Sequence, residues 1–201
     1  MPTEPPKPAA RRTRLTPERE AELYEAVLDI LREVGYDALT MDAVAARTHA
    51  SKATLYRQWK GKPELVAGAL RHNKPVSLAD IDTGTVRGDF RAMLCDTDEE
   101  RMERDAALMR GLQRAVHDNP DLNRALRELL VEPEVAALDA MLRRAVDRGE
   151  LAADNPALGF VAHAMLGAFM ARPMVDNRPA DAEYLSAYID AVILPALGVR
   201  P

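Results

Sequence analysis

The sequence predicts an all-α protein, with a small basic head of helices at its N-terminal end and a larger, acidic helical body behind it. Three observations carry this reading. Ala, Leu, Arg and Glu recur throughout, while Gly and β-branched residues are too sparse for strands. Apolar residues repeat at helical spacing between capping residues, Pro and Gly. Charge is also divided along the chain: residues 1–74 hold 13 Lys and Arg against 10 Asp and Glu, and the remainder holds 14 against 22, which together give the net −5. All the lysines lie at or before Lys74. The boundaries follow as a basic tail over 1–15, a head over 16–74 and a body over 75–201.

The tail, MPTEPPKPAARRTR, is rich in proline and arginine and has no apolar stretch, so it reads as disordered rather than as a secretory signal. Thr16-Pro17 opens the first helix: a capping hydroxyl, proline in the first turn, and Glu18 and Glu20 near the positive end of the dipole. Leu23, Val27, Ile30, Leu31 and Val34 form one stripe, and Gly35 ends it. Thr40 caps a short second helix that runs out near Thr48. Ser51 caps a third that runs to about Trp59, with Leu55 and Trp59 facing inward. Lys62-Pro63-Glu64 opens a fourth. Two short helices joined by a tight turn and braced by longer ones make a helix-turn-helix. Residues 73 to 84 read as a connector. Further helices are expected at 85–97, 100–117, 121–130, 133–148, 156–171 and 181–194, parted by breaks such as Glu132-Pro133 and Asn155-Pro156.

The stretch SKATLYRQWKGKPEL, residues 51–65, concentrates hydroxyls and cations on the outer side of the third helix. Ser51, Thr54 and Tyr56 offer O–H groups; Lys52, Arg57, Lys60 and Lys62 offer charged N–H groups, and Gln58 a further amide. Phosphate oxygens only accept hydrogen bonds, so a surface made of donors suits a nucleic-acid backbone. Residue by residue these are ordinary solvated side chains; gathered in a helix-turn-helix they point to double-stranded DNA.

Residues 36–66, YDALTMDAVAARTHASKATLYRQWKGKPELV, resemble the DNA-binding segment of the tetracycline-repressor (TetR) family of bacterial transcriptional regulators. The likeness rests on Leu-Thr before the second helix, Val-Ala-Ala inside it, Ser-Lys-Ala-Thr-Leu-Tyr through the third, and Lys-x-x-Leu opening the fourth. It implies that Thr40, Thr54, Tyr56 and Lys62 hold phosphates and that Lys52 and Ala53 face base edges, the lysine toward guanine and the alanine methyl toward thymine. Arg57 and Gln58 add base or phosphate contacts. The sequence departs from the family at His49, where glycine usually makes the turn, and at Trp59, where phenylalanine is common. His49 is expected in a left-handed turn and Trp59 in the core.

The resemblance also implies a homodimer built from the last two long helices. Residues 156–171, PALGFVAHAMLGAFMA, support this independently: they are apolar nearly all round, with small residues that admit another helix. Phe160, Ala164, Gly167, Ala168, Leu185, Tyr188, Ile189 and Val192 are the expected interface. Two heads on a dimer would bind a palindromic operator with half-sites about 34–36 Å apart. Seven of the nine methionines lie in the body. Flexible thioethers suit ordinary core filling or an adaptable cavity. The family implies an apolar effector pocket, for which Phe90, Met93, Met109, His117, Met141, His163, Met165 and Phe169 are the expected lining. Effector binding would change the spacing of the heads, with the fourth helix and the connector as the path.

HExxH, GxSxG, GxxxxGK and GxGxxG patterns are absent, so an enzyme is not expected. Asp80, Asp82 and Gly84 fall short of a calcium loop, because Arg91 stands where the bidentate glutamate belongs. Neither a metal nor another cofactor is expected. A single cysteine, Cys95, reads as a small buried hydrophobe in a reducing cytoplasm. The apolar run 157–171 is short for a bilayer span. The expected function is a sequence-specific DNA-binding regulator, most simply a repressor released by a small apolar effector; an activator or a helical interaction module without a ligand is the alternative.

Overall fold

A computed structural model describes residues 15–74, 77–94, 104, 108, 112 and 114–200, and among these every regular element is helical. The expected disordered tail, Cys95 and Met109 lie outside the described residues. Helix α1, Pro17–Ala38, starts on Thr16, whose Oγ1 accepts from Arg19 N at 3.3 Å. Its regular part ends at Gly35, whose φ of 75° is readily open only to a residue without Cβ, and a short turn carries it on to Ala38. Helices α2 (Met41–Thr48), α3 (Lys52–Gln58) and α4 (Lys62–His72) complete the head. A single 3₁₀ turn, Leu78–Asp80, lies within the connector.

The body contains α5 (Val86–Ala92), a helix α6 described at 104, 108, 112 and 114–118, then α7 (Pro120–Leu126) and α8 (Glu132–Asp147). The expected break at Glu132-Pro133 is not one. A π-helical turn over Arg127–Val131 joins α7 to α8, and Glu132 N–H bonds the carbonyl of Arg127. Proline removes one N–H from the ladder and crowds the preceding turn; widening that turn lets the helix pass it. The same device recurs before Pro195: α10 (Ala182–Tyr188) continues through a π turn at Ile189–Ile193 into α11 (Leu194–Ala196), with Leu194 N–H bonded to Ile189 O. Helix α9, Val161–Asp176, follows a 3₁₀ turn at Pro156–Phe160 and runs five residues beyond its expected end, through Pro173. Pro156–Asp176 is thus long and apolar enough to cross a membrane by length and composition, and the expectation of a run too short for a span is corrected.

Two large apolar clusters hold the chain together. The first joins Val27, Leu39, Val44, Leu55 and Leu65 of the head to Leu112, Leu122 and Ala125 of α6 and α7. One continuous core therefore runs from the head into the body. The second collects Phe90, Met141, Leu142, Val161, Ile193 and Leu197. Asp89 is fully buried beside it, accepting from Thr83 N at 2.6 Å and Thr83 Oγ1 at 2.7 Å, with Arg148 Nη2 at 3.4 Å. This clamp needs Gly88, since a Cβ there would come within 2.3 Å of Thr83 Oγ1.

Candidate nucleic-acid interface

Helix α3 is only seven residues long, and its ends are fixed by side chains rather than by length. Ser51 Oγ accepts from Thr54 N at 3.1 Å and lies 2.8 Å from Thr54 Oγ1. The turn before it holds His49 at φ 52°, a left-handed C-cap for α2, as expected for a position that glycine would fill more easily. On the inner side, Leu55 is fully buried and Trp59 nearly so. Trp59 Nε1 donates to the Tyr24 hydroxyl at 3.3 Å, and Tyr24 donates to Glu20 Oε1 at 2.9 Å. Burial pushes the Tyr24 hydroxyl up to about 12, so it stays a donor at neutral pH.

Further ties set the angle between helices. Arg47 grips Glu33 through two bonds, at 3.1 and 2.7 Å, which holds α2 against α1. Arg19 Nη2 donates to the Thr48 carbonyl at the same, C-terminal end of α2. With the inner face locked, the outer face of α3 is left to solvent. Lys52, Ala53, Tyr56 and Arg57 are all exposed there, and Tyr56 keeps 54% of its surface. Thr40 is exposed at the start of α2, its Oγ1 accepting from Ala43 N at 3.1 Å and its own proton left over for a phosphate.

Two residues expected on this surface sit differently. Gln58 lines a cleft of about 1140 Å³ between head and body, together with Tyr24, Trp59, His72, Asp121 and Arg124. On a helix it follows Tyr56 by roughly 200° of rotation, which turns it away from the exposed side. Lys62 folds back onto α1: its Nζ donates to Tyr36 O at 2.9 Å and Asp37 O at 3.5 Å and lies 4.2 Å from the centre of the Tyr36 ring. Burial draws the Lys62 ammonium below the usual lysine value, and the charge of Asp37 opposes that fall.

Sequence reasoning also missed the acids beside the cations. Lys52 Nζ pairs with Asp42 Oδ2 at 2.6 Å and Lys60 Nζ with Glu64 Oε1 at 3.3 Å. The second pair is visible as an i,i+4 spacing; the first needs the helix-turn-helix angle before Asp42 and Lys52 can be seen to meet.

In the body, Phe90, Met93, Met141 and Met165 come together in or against the second cluster, while Phe169 packs beside Ala180 and Leu185. His117 and His163 are exposed, and neither of the two cavities at the head–body junction includes any of these residues. Of the residues expected between two copies, Ala168, Leu185 and Ile189 are buried within the chain itself. Phe160, with 67% of its surface exposed, Gly167 and Val192 face outward, and Ala164 and Tyr188 are half-buried. Leu166, Met174 and Val175 add to this open apolar face of α9. No group of three or more metal-ligating side chains occurs among the described residues.

Comparison with known proteins agrees with this geometry. Residues 23–69 match the family described as bacterial regulatory proteins, tetR family, and residues 80–192 match the tetracyclin repressor-like C-terminal domain. An HTH-type transcriptional regulator of Mycobacterium tuberculosis is 36% identical over 183 residues, covering 89% of this chain and 88% of the relative. A DNA-binding transcriptional repressor TetR of Mycobacteroides abscessus is 33% identical, covering 88% of this chain and 92% of its own. Among solved structures, the TetR family transcription regulator SCO0332 superposes with a TM-score of 0.65 at 29% identity, over 92% of this chain and all of that one.

Proposed function

The chain belongs to the TetR family of DNA-binding transcriptional regulators, and from that premise we propose that it is a cytoplasmic, non-enzymatic repressor acting as a homodimer on a palindromic operator. Residues 16–74 form the DNA-binding unit and 75–201 the effector-binding and dimerisation unit. A relative named as a DNA-binding transcriptional repressor favours repression over activation. The carrying observation is the exposed outer face of α3, which presents hydrogen-bond donors on Lys52, Tyr56 and Arg57, on a helix whose other face is fixed by Leu55 and Trp59.

In this reading Lys52 and Ala53 face base edges, and Thr40, Tyr56 and Lys60 hold the backbone. Ser51 and Thr54 set the start of α3 through their caps. Arg57 follows the groove beside them. Lys62 orders the end of α1 so that these donors are correctly placed. The outward apolar face around Phe160, Gly167 and Val192 seats the second copy, which also explains how so apolar a helix is covered without a membrane. A small apolar effector in the body, among Phe90, Met141 and Met165, releases the operator by favouring a dimer with misplaced heads. Because α7 shares a core with α4, a shift in the body reaches the head through packed side chains as well as through the connector.

Selection of bound duplexes from a random pool tests the reading. A palindrome with half-sites about one helical turn apart is expected. Tyr56→Phe then weakens binding to all duplexes alike, whereas Lys52→Ala relaxes preference at one base pair in each half-site. Recovery of no common sequence, with both variants binding like the parent, refutes it.

A further inference from the structure

We infer that Asp42 determines specificity in the DNA contact: it withholds Lys52 from backbone phosphates and leaves that lysine to the neutral edge of a base. The inference rests on the DNA-binding reading and deepens it. Lys52 opens α3 and Asp42 lies in the first turn of α2. The two side chains meet across the helix-turn-helix, with Asp42 Oδ2 at 2.6 Å from Lys52 Nζ. Helix α3 has no acid in its own first turn, so the negative charge beside Lys52 comes from another helix. Both side chains are mostly exposed, 59% for the lysine and 65% for the aspartate, so a duplex that reaches one reaches the other.

The carboxylate cannot be carried far from the contact. Met41 and Val44, on either side of it in α2, are buried in the head, and Thr40 Oγ1 caps that helix through Ala43 N at 3.1 Å. On α3, Leu55 is fully buried and Ser51 Oγ accepts from Thr54 N at 3.1 Å. Backbone is thus fixed on both sides of the pair. Aspartate has only χ1 and χ2 to rotate, so its charge stays near Lys52 even when the bond between them opens. A lone ammonium takes any acceptor, and an anionic phosphate attracts it more strongly than a base edge does. A carboxylate at its side changes that balance. A phosphate oxygen bonded to Lys52 Nζ brings a second negative charge against Asp42, whereas guanine O6 and N7 are acceptors on a neutral base. Asp42 therefore opposes the backbone contact and spares the base contact. Because the pair is exposed, opening it costs little, and the correct site is not penalised. Discrimination comes from repulsion of the wrong partner.

Asp42→Asn keeps the size of the side chain and removes its charge. Affinities of the full-length protein for its selected operator and for a random duplex, measured over a range of salt, test the inference. The variant is expected to bind random duplex about fivefold more tightly or better, with a slope of log affinity against log salt steeper by about 0.9 per head, because Lys52 is released to a phosphate. Operator affinity changes by less than about twofold, so the operator-to-random ratio falls by more than about twofold. Glu25→Gln, which removes one negative charge from an exposed position of α1, leaves that ratio unchanged. In the Lys52→Ala background, Asp42→Asn also leaves the ratio unchanged, since the lysine it restrains is gone. The inference is overturned if Asp42→Asn does not lower the ratio in the parent, if it weakens random binding, or if it shifts the ratio equally in the Lys52→Ala background. A parent that prefers no duplex overturns the proposed function and this inference together. A parent with an operator, and an Asp42→Asn ratio equal to its own, overturns the inference alone.

Discussion

Replacing Lys62 by methionine separates a structural lysine from a phosphate-binding one. The side chain keeps its length and apolar stem but loses the ammonium group, and with it the 2.9 Å bond to Tyr36 O, the 3.5 Å contact to Asp37 O and the position 4.2 Å from the Tyr36 ring. A hydrogen bond from a charged donor contributes about 1.5–3 kcal/mol, and a cation over an aromatic ring about 0.5–1 kcal/mol at a partly wet site. The 3.5 Å contact adds little. Lys62 is half-buried, so water takes over part of what the carbonyls lose, and the expected cost is about 2 kcal/mol.

Urea unfolding reads this directly: with slopes of about 1–3 kcal/mol/M, the midpoint falls by roughly 1 M. The dependence of operator affinity on salt supplies the second readout. Each neutralised phosphate contributes about 0.9 to the slope of log affinity against log salt, so a lysine that holds no phosphate leaves the slope unchanged. Lys60→Met serves as the contrast, since Lys60 is exposed and is proposed to hold a phosphate, so that its loss is expected to flatten the slope by about 0.9 per head. An unchanged midpoint for Lys62→Met, together with a flattened slope, refutes the structural assignment.

Asp89→Ala removes a buried acceptor and strands the Thr83 N–H, while Arg148 keeps Glu150 and Asp82; the change costs about 2–3 kcal/mol and lowers the melting temperature by roughly 5–10 °C, measured by calorimetry. Phe160→Glu places a charge on the open face of α9, and sedimentation shows a monomer at concentrations where the parent is a dimer. Acid lowers stability for a stated reason: Glu33, held by Arg47, and Glu64, held by the Lys60 N–H, both titrate below the ordinary 4.5. The native state thus binds fewer protons than the unfolded one. Their contribution is present in full above 4.5 and is lost as pH falls below it, so urea midpoints drop over that range and drop less in Arg47→Ala.

Local chemistry made the head legible. Thr16, Thr40 and Ser51 cap the helices they were expected to cap, because an N-cap needs only a hydroxyl three residues before a waiting N–H. Gly35 and His49 take the positive φ that their positions called for. The prolines at 133 and 195 were misread as breaks or ends, since the rule that proline stops a helix is local and the π turn that evades it depends on packing from both sides. Direction was harder to read than periodicity. Gln58 and Lys62 belong to the right helices but aim at the cleft and at α1; helical rotation from Tyr56 already turns Gln58 inward, whereas the carbonyls that hold Lys62 lie 26 and 25 residues away in sequence. The body's lining failed to resolve for the same reason: methionines and phenylalanines mark a core without saying whether it encloses space.

The acids beside the recognition cations bear on how the two regions of opposite charge work together. Lys52–Asp42 and Lys60–Glu64 are exposed pairs, and such pairs contribute only about 0–1 kcal/mol, so a phosphate or guanine displaces the carboxylate at small cost. Once displaced, Asp42 and Glu64 remain as fixed negative charges beside the contact. A duplex shifted by a base or two would bring phosphate against them, and like charges at short range penalise that register. The residues after 74, with 22 acids against 14 bases, apply the same repulsion at longer range. On the proposed contacts, attraction is thereby confined to a few donors on α3 and at the start of α2, and non-specific affinity stays low although residues 35–74 hold seven Lys and Arg against three Asp and Glu.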